Sequence, residues 1–168
     1  MAKRRLLLLF MIIGLVTAAC GQVTQTQAST FKDKQALALV NEAFQTQVSL
    51  SEQPQSFEAI EQQLHTSFTK ELTDEFIKEN VVKVEKGYQT FGSDFAPYYI
   101  PFFKYDESTQ VEYADGKWYI WEERSGEQEG PVSTAPGVEV VVLTKDKGDW
   151  KVSSITNELP ENLQNMNE

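Results

Sequence analysis

Between Phe31 and Asn80 the apolar residues recur at helical spacing. Leu37, Val40, Phe44 and Val48 stand at i, i+3, i+7 and i+11, one stripe of a helix, with Ser29 or Thr30 placed to cap its start. "SEQPQS" interrupts the stripe, because Pro54 breaks a helix and Ser56 offers the next cap. Phe57, Ile60, Leu64 and Phe68 then repeat the spacing in a second helix. Leu72 and Phe76 carry the face into a third, over residues 69–80, with Asn80 suited to its C-terminal end. Beyond residue 81 the pattern becomes extended. "VEYADGKWYIWEER" predicts a hairpin turning at Asp115-Gly116, a dipeptide that accepts the positive φ of a tight turn. "VEVVVLTKDKGDWKVSSITN" predicts a second, turning near Asp146 to Asp149. Helices first and antiparallel strands after make an α+β plan, with the helices packed on one sheet face. This places a single domain over residues 31–157, and "ELPENLQNMNE", residues 158–168, reads as a loose polar tail.

The strands are apolar on both sides. Trp118 and Ile120 alternate with Tyr119 and Trp121, and Val138, Val140 and Val142 alternate with Val141 and Leu143. Upstream, 8 of the chain's 19 aromatic residues fall between Tyr88 and Tyr105, around Pro97 and Pro101. The prolines bias Ala96 and Ile100 toward extended backbone and confine the stretch to a strand edge, a strand end or a bulge. If it is extended, Tyr98, Ile100 and Phe102 oppose Tyr99, Phe103 and Tyr105. A sheet with water on one side alternates apolar with polar residues, so the second face here requires a cover. Curling of the sheet, the tail folding back, a second copy of the chain, another protein or a small ligand would each supply one. Tyr99, Phe103, Tyr105, Tyr119 and Trp121 are the residues expected to meet a partner or a second copy there.

The chain opens on "MAKRRLLLLFMIIGLVTAAC". A positive head, Lys3 to Arg5, precedes an apolar run from Leu6 to Val16 that is too short to span a membrane. It has the length of the apolar region of an export signal, ending at small residues with the cut after Ala19. Removing residues 1–19 takes three of the 15 basic residues and leaves 12 against 25 acidic ones, a net charge of −13. That balance argues against nucleic acid and anionic lipid head groups as partners, since both select positive charge, and it suits solubility beside a negatively charged surface, a basic partner or a cation. Cys20 is the only cysteine, so no internal disulfide forms. Residues 21–30, "GQVTQTQAST", are small and uncharged and read as a flexible tether.

"TAAC" followed by Gly21 resembles the lipobox of bacterial lipoproteins, with Thr17 where leucine is commonest. The resemblance implies lipidation of Cys20 and an anchor at the extracytoplasmic face of the cell membrane, through lipid rather than a span. The order of elements resembles the nuclear transport factor 2-like fold, in which a curved sheet wraps round a helix to make a cone. "LTDEFIKENVV", "FGSDFAPYYIPFFKYDEST" and "GDWKV" are similar to a family of bacillus-type lipoproteins to which no activity is assigned. That likeness implies fold and location and no catalytic residues.

Catalytic chemistry is sparsely supplied. His65 is the only histidine, at the edge of the second helix's apolar stripe, so a histidine-based zinc site lacks its usual companions and no metal or cofactor is expected. Some members of the cone fold run isomerase or dehydratase chemistry with an acid or histidine projecting inward. His65, Asp94 and Asp106 are the residues that could take that part here, with Glu107 beside them. Glu122, Glu123, Glu127 and Glu129 crowd the stretch before Pro131 without the spacing of a calcium loop and read as a solvated acidic loop. Neither a phosphate-binding glycine loop nor a Gly-x-Ser-x-Gly elbow is present. The expectation is a lipid-anchored, extracytoplasmic, non-catalytic binding domain; the rival is a small-ligand binder or enzyme using the interior of a cone.

Overall fold

The computed structural model describes residues 31–92, 96–124 and 136–164. Three helices come first: α1 (Asp33–Ser49), α2 (Phe57–Ser67) and α3 (Lys70–Asn80). The caps of α2 and α3 are Ser56, whose side chain accepts from the Ala59 N–H, and Thr69, which accepts from the Leu72 N–H. α1 departs from expectation in two ways. It starts from Lys32, whose own N–H is taken up by the Gln35 side chain at 2.9 Å, and not from Ser29 or Thr30, which lie outside the described residues. Its buried face is Ala36, Val40, Ala43 and Gln47, a stripe rotated from the predicted one, which leaves Leu37 and Phe44 half-buried and Val48 36% exposed. Two alanines on that face let the helix backbone lie close to its neighbours, and large side chains flank the seam rather than fill it.

A short hairpin follows, β1 (Val82–Val84) with β2 (Gly87–Gln89). Gly87 has φ +143°, and a Cβ there would meet the Gln55 carbonyl oxygen at 2.4 Å. Only glycine lets Tyr88 exchange both backbone bonds with Gln55, at 2.8 and 2.9 Å. The main sheet is an antiparallel meander in the order β3 (Gln110–Ala114), β4 (Lys117–Arg124), β5 (Gly137–Asp146) and β6 (Asp149–Thr156). Both predicted turns are present as two-residue loops. Asp115 and Gly116 take φ of 51° and 78°, and Lys147 and Gly148 take 52° and 103°, the mirror-image turn that matches strand twist. The pairing of β5 with β6 shifts between Val142 and Leu143, so Ser153 is an extra residue that bulges and bends the sheet.

The alternation on β4 and β5 holds. Trp118, Ile120, Val141, Leu143 and Val152 pack with Ala36, Val40, Leu64, Phe68, Leu72 and Phe76 of the helical layer. The helices are fastened to the sheet by backbone as well, since the Thr69 N–H donates to the Val152 carbonyl at 2.9 Å. The fold is therefore α+β, three N-terminal helices on one face of a bent antiparallel sheet. No helix among the described residues is long and apolar enough to cross a membrane.

Two expectations are corrected. Residues 96–109 form no strand: φ is positive at Tyr98 (66°) and Tyr105 (54°), and the Phe103 N–H turns back to the Pro101 carbonyl at 2.8 Å. The stretch expected as a loose tail is ordered through residue 164, with α4 (Glu161–Gln164) closing it. Leu159 and Leu163 are buried against Tyr119, Trp121, Val140 and Val142, and Asn162 reaches the Asp115 carboxylate at 3.3 Å. Of the covers that would satisfy the second sheet face, the chain's own C-terminal segment is the one in place.

Leu159→Asp with Leu163→Asp should lower stability by about 3–5 kcal/mol, the burial of two leucine side chains. The double variant should also shift tryptophan emission to the red as Trp121 becomes wet. Urea unfolding followed by fluorescence reads both, and an unchanged midpoint would show that the segment does not cover the sheet.

Candidate functional site

The aromatic loop, residues 96–109, has no strand beside it and two prolines that lack an N–H, so its buried backbone groups need side-chain partners. Two side chains supply them. Gln47, fully buried on α1, donates from Nε2 to the Tyr98 carbonyl at 2.8 Å and accepts at Oε1 from the Ile100 N–H at 2.9 Å. One amide thus does for the loop what a neighbouring strand would do. Glu122, also buried, accepts at Oε1 from the Lys104 N–H at 2.7 Å and from the Thr109 hydroxyl at 2.5 Å. Asn80, the last residue of α3, adds a third tie by donating to the Phe76 and Pro97 carbonyls at 3.0 and 2.9 Å.

Glu122 follows Trp118 and Ile120 in the alternation, so its carboxylate lies on the helix-facing side of the sheet. The Tyr105 phenol lies near it, its hydroxyl out of solvent and without a hydrogen-bond partner. Burial and the Glu122 charge together push the Tyr105 phenol up to about 12. The Tyr99 phenol is raised as well, by burial.

The five aromatics expected on one partner-facing surface are divided. Tyr99 and Phe103 are buried in the main core, Tyr99 edge-on to Phe76 at 4.9 Å and Phe103 to Tyr105 at 6.0 Å. Tyr119 and Trp121 lie on the opposite sheet face, beneath Leu159 and Leu163. The positive φ at Tyr98 and Tyr105 is what breaks the expected alternation. The aromatics that stand furthest into water among the described residues are Phe91, 74% exposed, and Phe102, 69% exposed, the latter edge-on to Phe44 at 5.1 Å; Tyr113 and Phe57 are exposed as well.

Among the described residues, no hydrogen bond or ion pair joins the candidate acids to the candidate base. Asp106 is exposed and caps a local turn, accepting from the Ser108 hydroxyl at 2.6 Å and the Ser108 N–H at 2.8 Å, which holds its carboxyl below the usual range. Glu107 is also exposed. His65 is half-buried on α2 and its carbonyl takes the Lys151 ammonium. Asp94, Cys20, Glu127 and Glu129 lie outside the described residues. Of the acidic run, Glu122 belongs to the interior and Glu123 to the surface.

Glu123 borders a recess of about 600 Å³ between the ends of β4 and β5 and the C-terminal segment, with Val138, Asn157, Glu158, Leu159 and Glu161 also lining it. No basic residue among the described ones lines it. The recess offers apolar contact from Val138 and Leu159 and carboxylate charge at its rim.

The sequence profile of the family described as a protein of unknown function, DUF3993, matches residues 32–124, more than half of the chain. The chain belongs to that family. No curated protein and no solved structure matches it. The DUF3993 match runs from α1 to the end of β4, so Gln47, Glu122 and the whole aromatic loop fall inside it. Leu159, Leu163 and most of the recess fall outside.

Four residues that matter here are hard to read from the sequence, for different reasons. Glu122 is legible only if the alternation of β4 is carried two residues past Ile120. Gln47 follows Ala36, Val40 and Ala43 at helical spacing, but alanine is too weakly apolar to mark a core stripe. Leu159 and Leu163 are four apart in a polar segment, a short helical signal easily read as none.

Gln47→Leu keeps the volume and strands the Tyr98 carbonyl and the Ile100 N–H, so it should cost about 2–5 kcal/mol in urea unfolding. A loss under about 1 kcal/mol would mean that water replaces the amide. Because the Tyr105 pKa is raised on folding, its contribution is present below pH 10 and is lost as pH rises from 10 to about 12. Tyr105→Phe should therefore blunt alkaline unfolding over that window and change little at neutral pH. Phenolate absorbance during alkaline titration follows the group directly.

Proposed function

We propose that this chain is a lipoprotein held at the extracytoplasmic face of the membrane through Cys20, and that its domain works by binding rather than by catalysis. The anchor rests on the Lys3–Arg5 head, the apolar run and "TAAC". A domain of the nuclear transport factor 2-like type is the finer reading of the fold, supported by three helices leading into an antiparallel meander that the bulge at Ser153 bends.

The observation that carries the binding reading is the recess on the outer sheet face. It is concave and part apolar, its rim is carboxylate, and the net charge of the processed chain has the same sign. A partner presenting a basic group on an apolar body fits that lining, and the acidic balance of the chain speeds its approach. A second reading, ligand capture or catalysis inside the cone, is favoured by one feature, the buried Glu122 carboxylate with the Tyr105 hydroxyl nearby.

Two measurements test the proposal. Metabolic labelling with an alkynyl fatty acid should mark the wild-type chain at the membrane, and Cys20→Ala should lose the label and leave the membrane fraction. Persistence of the label in Cys20→Ala would overturn the anchor. Photo-crosslinking on intact cells from a reactive residue replacing Glu158 should capture a partner, whereas the same residue at Glu112, on β3, should not. Equal capture from both positions would overturn the recess as the binding face.

A further inference from the structure

The one histidine does acquire companions, from carboxylates rather than from other histidines. Glu61 and His65 are four apart on α2 and so share a face one turn apart. The two residues between α2 and α3, Phe68 and Thr69, are bound to β6 through the Val152 carbonyl, which fixes how α3 leaves α2. Asp74, one turn into α3, arrives beside the other two, and one ligand atom from each of Glu61, His65 and Asp74 lies within 4.8 Å of the others. We propose that these three side chains form a site for a divalent transition-metal ion of the zinc type.

Three features of the cluster point the same way. The His65 Nε2 is out of solvent and has no hydrogen-bond partner, an imidazole with an unused nitrogen. One imidazole and two carboxylates select a borderline ion such as zinc; an all-oxygen set would favour calcium or magnesium. The position already draws positive charge, because the Lys70 ammonium sits on the Asp74 carboxylate at 2.6 Å. Tetrahedral ligand atoms about 2.0–2.2 Å from zinc lie roughly 3.4 Å apart, so closure requires side-chain movements of about 1 Å. Glu61 and His65 are half-buried and Asp74 is exposed, which leaves them that freedom. The Lys151 ammonium on the His65 carbonyl steadies the last turn of α2, so the helix need not move. Lys70 is the residue that yields: the metal takes Asp74 from it. Three protein ligands leave an open position for water or for a group from a partner.

The test is calorimetric titration of the untagged full-length chain with zinc chloride, and cobalt(II) absorption as a direct report of nitrogen ligation. One equivalent of zinc should bind, and cobalt should show visible ligand-field bands. His65→Ala should weaken zinc at least about tenfold and abolish the cobalt bands, and Glu61→Gln, which keeps the side chain's size, should weaken it several-fold, about the scale of lost ligand-shell contacts. Lys70→Gln should tighten binding by removing the competing cation. Circular dichroism checks that each variant is folded. Absence of zinc heat in the wild type, or equal affinity in folded wild type, His65→Ala and Glu61→Gln, would overturn the site.

Discussion

A buried loop without a strand beside it must find partners for its backbone, and the architecture is arranged around that requirement. The aromatic segment 96–109, too rich in proline and aromatics to join a ladder, buries Tyr99, Ile100 and Phe103 in the main core and leaves Phe102 and the polar residues 104 and 106–108 exposed. Gln47 reaches it from α1 and Glu122 from β4. The two side chains come from opposite layers, so they also couple those layers through the loop. Replacing either one removes a connection between α1 and the sheet as well as a hydrogen bond. This explains why a glutamine stands in the tightest seam of α1, where packing alone would favour leucine.

The second organising fact is a sheet with two dry faces. Helices cover one, in the usual α+β manner, and a segment of a few residues covers the other. Beside that cover, Glu123, Val138 and Glu158 line the recess. A strand that is apolar on both sides is therefore satisfied within the chain, and the aromatics on it are held for packing. Charge at the edge of the cover, rather than the aromatic surface itself, is what the outer face presents to solvent.

Most of the fold was legible in the sequence because its periodicities are clean. Ser56, Thr69, Asp115-Gly116 and the two-faced strands each announce an element through local chemistry, and each is where the pattern places it. The aromatic loop was not legible as a loop. Alternation along residues 98–105 looks like a strand, and positive φ at two tyrosines leaves no mark in a one-dimensional pattern. On function the sequence offers an expected address, through residues 3–20, and much less at the level of site. Glu61 stands four residues before His65 on α2, a spacing too common to mark a cluster, and Asp74 joins them only after the chain has turned between two helices. The recess is equally hidden, because Glu123, Val138 and Glu158 come to it from separate parts of the chain.

The outer cover has a consequence in time as well as in space. Leu159 and Leu163 follow every strand of the meander in the chain, so they are made after the surface they cover. Strands β4 and β5 can therefore pair while Tyr119 and Trp121 are still bare. The chain is at its most adhesive in that interval, when a newly paired sheet with an uncovered apolar side is the species most prone to stick to its own kind. The order of the segments thus sets a window of exposure that closes only when the cover docks.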